Sequence, residues 1–142
     1  MDCDRRCQEV SVLEIVLSIL LAIGVAVLYY FALIPFITTA LWIIFGLAVL
    51  ELIFLVAGLF TASIFRRTPL ARCLYCRGAI YLAGIIGTII MTLVCLSITL
   101  ITTSILVDVL IGLVVFFAVL MTIELVTILC CIIAGLGRWS EN

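Results

Sequence analysis

The sequence predicts an all-α integral membrane protein whose four transmembrane helices form two tandem helical hairpins. Three observations predict it. Of the 142 residues, 68% are hydrophobic and only 11% charged, whereas a soluble domain carries about 25% charged residues to face water. The apolar residues fall into four runs, each long enough to cross a hydrocarbon core that takes about 20 helical residues. All seven positive charges are Arg, and they gather outside those runs. The chain has no Lys and no His, so the commonest general base and the commonest nitrogen metal ligand are both missing. No Gly-rich phosphate loop, nucleophile elbow or metalloprotease motif occurs either. An enzyme is not expected.

Residues 1–9 form a short polar segment. The run that follows, residues 10–34, exceeds the 7–15-residue apolar core of a signal peptide and reads as a retained first span. Pro35 closes it, because the residue before a proline is pushed out of helical geometry. The second run, 36–65, stops at Arg66-Arg67-Thr68-Pro69, so residues 10–65 make the first hairpin. Residues 66–78 contain Arg66, Arg67, Arg72 and Arg77 and read as a polar loop. The third span starts near Ala79 and fades at Thr102-Thr103-Ser104; the fourth runs from about Ile105 to Gly137. Asp108, in the first turn of the fourth span, suits the positive end of the helix dipole. Residues 79–137 thus form the second hairpin and 138–142 the tail.

Arg5 and Arg6, the four arginines of 66–78, and Arg138 all fall on one side of a four-span chain. By the positive-inside rule that side is the cytoplasm, with both termini there. Tyr29, Tyr30 and Trp42 are then expected at the outer interface, and Tyr75, Tyr81 and Trp139 at the inner one. An offset of 73 residues superposes Glu51 on Glu124, Leu47 on Leu120 and Leu52 on Leu125, and brings Pro35 against Asp108. This predicts an internal parallel repeat with a pseudo-twofold along the membrane normal.

Two carboxylates interrupt the apolar runs. Glu51 is the sole charge between Ile15 and Phe65, and Glu124 the sole one between Val109 and Gly137. A charge at the bilayer centre costs at least about 2.5 kcal/mol on insertion scales, so such residues are functional candidates by default. Both are expected to bind a proton or cation; the competing reading is a hydrogen-bonded clasp between helices. Glu14, near the start of the first span, joins them as a third proton or cation ligand, with the interface as its expected place. Its helix also bears an i+4 stripe of Glu14, Ser18, Ala22, Ala26 and Tyr30, where small residues permit close helix approach. Hairpins with a carboxylate midway along each second helix, here Glu51 and Glu124, make the layout similar to the duplicated proteolipid of rotary ATPases. This chain differs from that family in lacking a glycine run on its first helix and in carrying its charged loop between the hairpins.

Cys3 and Cys7 precede the first span, and Cys73 and Cys76 the third. Thiolates spaced two to four residues apart can hold a tetrahedral zinc, and juxtamembrane cysteines also serve as acylation sites. Apart from that structural zinc no cofactor is expected. Cys95, Cys130 and Cys131 lie within apolar runs and read as small hydrophobes. The expected partners are the lipid bilayer and further copies of the chain, with no nucleic acid. The expected function is proton- or cation-linked transport or conduction through paired mid-membrane carboxylates; the alternative is a structural or accessory membrane protein that oligomerises through its helices.

Overall fold

The computed structural model describes residues 2–31, 35–64, 69–99 and 105–140. They form four helices: α1 (Asp2–Tyr30), α2 (Ile37–Ile64), α3 (Pro69–Thr99) and α4 (Ile105–Ser140). Each contains an apolar stretch long enough to span a membrane: Val12–Tyr30, Ile37–Ile64, Arg77–Ile98 and Ile105–Ile133. The predicted all-α membrane architecture is therefore observed. The helices run past the predicted boundaries: α1 begins at Asp2, within the segment 1–9, and α4 continues to Ser140. The segment read as a polar loop, 66–78, is helical from Pro69 onward. A proline at the first helical position gives up only an N–H that has no intrahelical partner, and its fixed φ suits the first turn. Arg72 and Arg77 therefore ride on α3, while Arg66 and Arg67 lie outside the described residues.

Side-chain periodicity explains how the helices pack. On α2 the buried residues are Leu41, Ala48, Leu55 and Ala62; on α3, Leu74, Tyr81, Thr88 and Cys95 are buried; on α4, Val107, Val114, Met121 and Ile128 are. Each set recurs every seven residues, the spacing that keeps one seam facing a neighbour as helices supercoil. On α1 the seam is the predicted stripe, Glu14, Ser18 and Ala22, all buried, with Ala26 half-buried. It fails at Tyr30, which is exposed, while Tyr29 turns inward to pack on the core.

The helices pack in the order α1–α4–α3–α2, and among the described residues α1 and α2 do not touch. Of the consecutive helices, α2 with α3 and α3 with α4 pack as hairpins, while the first predicted hairpin, α1 with α2, is not packed among the described residues. A pseudo-twofold would pair α1 with α2 as α3 pairs with α4, so the expected symmetry is not met. Close approaches fix the registers. A Cβ on Gly84 would lie 3.3 Å from the Met121 backbone, and one on Gly87 would lie 2.5 Å from the Phe117 ring. Gly112 faces Ala22 and Ala26 on α1, and Gly58 faces Leu74. Small residues let backbones approach where lipid supplies no hydrophobic push between helices.

Followed along the antiparallel helices, these registers bring Glu14 level with Glu124, and Glu51 level with Tyr81. One core cluster, with Leu55, Leu74, Tyr81, Met121 and Ile128, lies around and towards the arginine-bearing end. A second, with Leu41, Cys95, Val107, Ile111 and Val114, fills the opposite end and receives Val25 and Tyr29 from α1. A polar layer lies level with the first cluster, with Arg77 between Leu74 and Tyr81, Glu124 between Met121 and Ile128, and Glu51 between Ala48 and Leu55 along their helices.

Candidate functional site

Arg77 is the centre of this layer. It is the first residue of the apolar stretch of α3, and it points into the protein. Its Nη1 donates to Glu14 Oε2 on α1 at 2.8 Å and to Glu124 Oε1 on α4 at 2.9 Å. The side chains are 7%, 6% and 0% exposed for Arg77, Glu14 and Glu124. Since an Nη carries two hydrogens, one nitrogen serves both carboxylates. Charge-assisted bonds of this length are the strong kind, and both are shielded from lipid.

The position of each residue follows from its helix. Glu124 occupies the α4 seam between Met121 and Ile128, so the heptad that buries those residues also buries the carboxylate. Glu14 opens the α1 stripe. One turn on, Ser18 is fully buried and donates from Oγ to the Glu14 carbonyl at 2.8 Å, which satisfies its hydroxyl within its own helix. The second oxygen of each carboxylate, Glu14 Oε1 and Glu124 Oε2, has no hydrogen-bond partner among the described residues. Because one nitrogen reaches both, the two carboxyl groups are neighbours. A single proton on either would neutralise one of the two carboxylates. With Arg77 charged, it would also make the three-residue cluster neutral.

Glu51 belongs to a second pair. It sits half-buried in the α2 seam, between Ala48 and Leu55, beside the hydroxyl of Tyr81. The two do not complete a well-formed hydrogen bond, and Glu51 Oε2 and Tyr81 Oη lack other partners among the described residues. Tyr81 is one helical turn from Arg77 on α3, so the two pairs share that helix. Further along it, Thr88 is buried and donates to the Gly84 carbonyl at 2.7 Å, and the buried Thr92 hydroxyl is unbonded among the described residues.

Of the sequence-predicted ligands, Glu124 and Glu14 meet at Arg77 and Glu51 stands apart from them, beside Tyr81. Glu14, expected at the interface, is buried. Tyr81, expected in an interfacial belt, is wholly buried, while Tyr75 and Trp42 are exposed as a belt requires. Arg77 was missed because it precedes the visible apolar run and shares a segment with three other arginines. Its signal was present: Leu74, Arg77 and Tyr81 are spaced three and four apart and continue the α3 seam. Cys3, Cys7, Cys73 and Cys76 have side chains outside the described residues, so the zinc expectation falls there. Among the described residues no group of three or more metal-ligating side chains occurs. Cys95 and Cys130 are free thiols, but Cys131, read as a small hydrophobe, is disulfide-bonded.

The chain matches no family model, and no curated protein or solved structure is similar to it.

Proposed function

We propose that this is a non-enzymatic membrane protein that exchanges a proton for a cation at Glu14, Arg77 and Glu124. The observation that carries this reading is the arithmetic of the cluster: two buried carboxylates share one guanidinium, leaving one negative charge that a proton or a cation must balance. Intramembrane carboxylates that face a protein interior and pair with one another mark proton relays and ion paths. Glu51 on α2, level with the cluster and beside Tyr81 of α3, supplies a further protonatable carboxyl next to the helix that carries Arg77. The arginine distribution supports a cytoplasmic placing of both termini, which would put Arg77 on the cytoplasmic side of the layer. The lipid-facing sides of α1 and α2 leave room for further copies of the chain.

The sealing of the cluster supports a second reading. Side chains exposed by 7% or less and tying α1 to both α3 and α4 are also what a clasp in an accessory protein would use. Reconstituted vesicles separate the two. In exchange, Glu124→Gln and Glu14→Gln leave folding intact and abolish pH-driven cation flux, because glutamine keeps the shape and loses the titration. In a clasp, neither the unaltered protein nor the variants pass protons or cations above empty vesicles. That result would overturn the exchange reading.

A further inference from the structure

We infer that the Glu14 and Glu124 carboxylates form a binding site for a small planar cation of the guanidinium or amidinium class, which Arg77 occupies as a tethered stand-in. The inference rests on the exchange reading above and gives its cargo a chemistry. The site already holds a guanidinium group, at 2.8 and 2.9 Å from the two carboxylates. It holds it incompletely: Nη1 satisfies one oxygen of each, while Glu14 Oε1 and Glu124 Oε2 remain without a partner among the described residues. Both residues are more than nine-tenths buried, so those oxygens have no solvent to turn to.

A free guanidinium carries N–H donors along every edge and can present two parallel donors to a carboxylate, which is the geometry that makes such pairs specific. Placed between these carboxylates, it reaches the two oxygens that the tethered group leaves unbonded. A primary ammonium is a compact point charge without that planar fork, and a quaternary ammonium has no N–H at all. The site therefore ranks guanidinium above methylammonium, and methylammonium above tetramethylammonium.

Arg77 has somewhere to go when displaced. It is the first residue of its apolar stretch, and a long basic side chain at a span end can extend along the helix to the headgroup region. Arg77 outward opens the carboxylates to a cation or proton; Arg77 inward closes them. The tether also explains why the native site would bind weakly, since a tethered competitor acts at an effective concentration in the millimolar range.

The test measures binding of radiolabelled guanidinium to purified protein in micelles by equilibrium dialysis. Arg77→Ala removes the competitor and is expected to bind at least about tenfold tighter than the unaltered protein. Adding Glu124→Gln to it should return binding to background. Folded Arg77→Ala protein with no gain in affinity would overturn the inference. Should that variant fail to fold, arginine side-chain NMR on the unaltered, 15N-arginine-labelled protein decides. The slowly exchanging Nη signal assigned to Arg77 should disappear as guanidinium chloride is added, and persist in equal tetramethylammonium chloride. A signal indifferent to guanidinium would also sink the site. Guanidinium binding without flux would leave the site standing and remove exchange; flux of other cations without guanidinium binding would do the reverse.

Discussion

The charge balance at Arg77 makes a quantitative prediction through a double-mutant cycle of Glu14→Gln and Glu124→Gln. Each single change keeps one of the two ion pairs, at 2.9 or 2.8 Å respectively, and takes the ionised cluster from one net negative charge to none. The loss is one interhelical hydrogen bond of a charged kind, which inside membranes is worth about 0.6 kcal/mol on average and at most about 1.7. Each single variant should therefore lie within about 1 kcal/mol of the unaltered protein. The double variant keeps Arg77 and removes both counter-charges. Stranding one partner of a buried pair costs about 3–5 kcal/mol in soluble proteins. Arg77 stands at a span end and can relieve part of this by turning outward, so the lower figure applies, about 3 kcal/mol. The expected coupling is then about 1–2 kcal/mol, in the range found for residues that touch, or roughly a factor of 5–30 in the unfolding equilibrium. Reversible unfolding of the micellar protein by added sodium dodecyl sulfate, followed by circular dichroism, gives the free energies. Additive losses within about 0.5 kcal/mol would mean that the carboxylates do not hold Arg77 jointly.

Two further perturbations address the frame around the site. Gly87→Leu should destabilise the α3–α4 pair by about 1–3 kcal/mol, since even a Cβ would stand 2.5 Å from the Phe117 ring; Phe117→Ala in the same chain should recover part of the loss in the same unfolding assay, and no recovery would contradict the packing described. Cysteines introduced beside Pro35 and Ser104, in a chain otherwise free of cysteine, should react with an impermeant maleimide from outside intact cells, and one beside Arg67 should not. Labelling at Arg67 from outside would reverse the orientation.

The sequence was most legible where physics leaves few choices. A chain so short of charge can only bury its surface in lipid, and four apolar runs then become four helices. The carboxylates were visible for the same reason, because each interrupts an otherwise continuous hydrocarbon surface. Partnership was less visible. Hydropathy reports what a residue prefers, while pairing depends on which helices adjoin, and the α1–α4–α3–α2 order does not follow from counting spans. The seven-residue recurrence of Leu41, Ala48, Leu55 and Ala62 was readable in principle, but almost every position of α2 is apolar, so a hydrophobicity pattern hides it. Arg77 was obscured by a boundary: a polar stretch between two spans looks like a loop until a proline is recognised as the first residue of a helix.

The separation of α1 from α2 also constrains the order in which the protein can be made. Helices leave the ribosome in sequence, and here the first two to arrive have no surface for each other. Glu14 waits for Arg77, 63 residues later, and Arg77 then waits a further 47 for Glu124. During translation the first half therefore resides in the insertion machinery or bilayer as two solitary helices, each bearing an unmatched carboxyl group. The late pair, α3 with α4, provides the template onto which both are recruited. Truncation after α2 would yield two stranded helices rather than half a protein, and quality-control proteases that recognise unpaired polar groups in lipid would meet them as such.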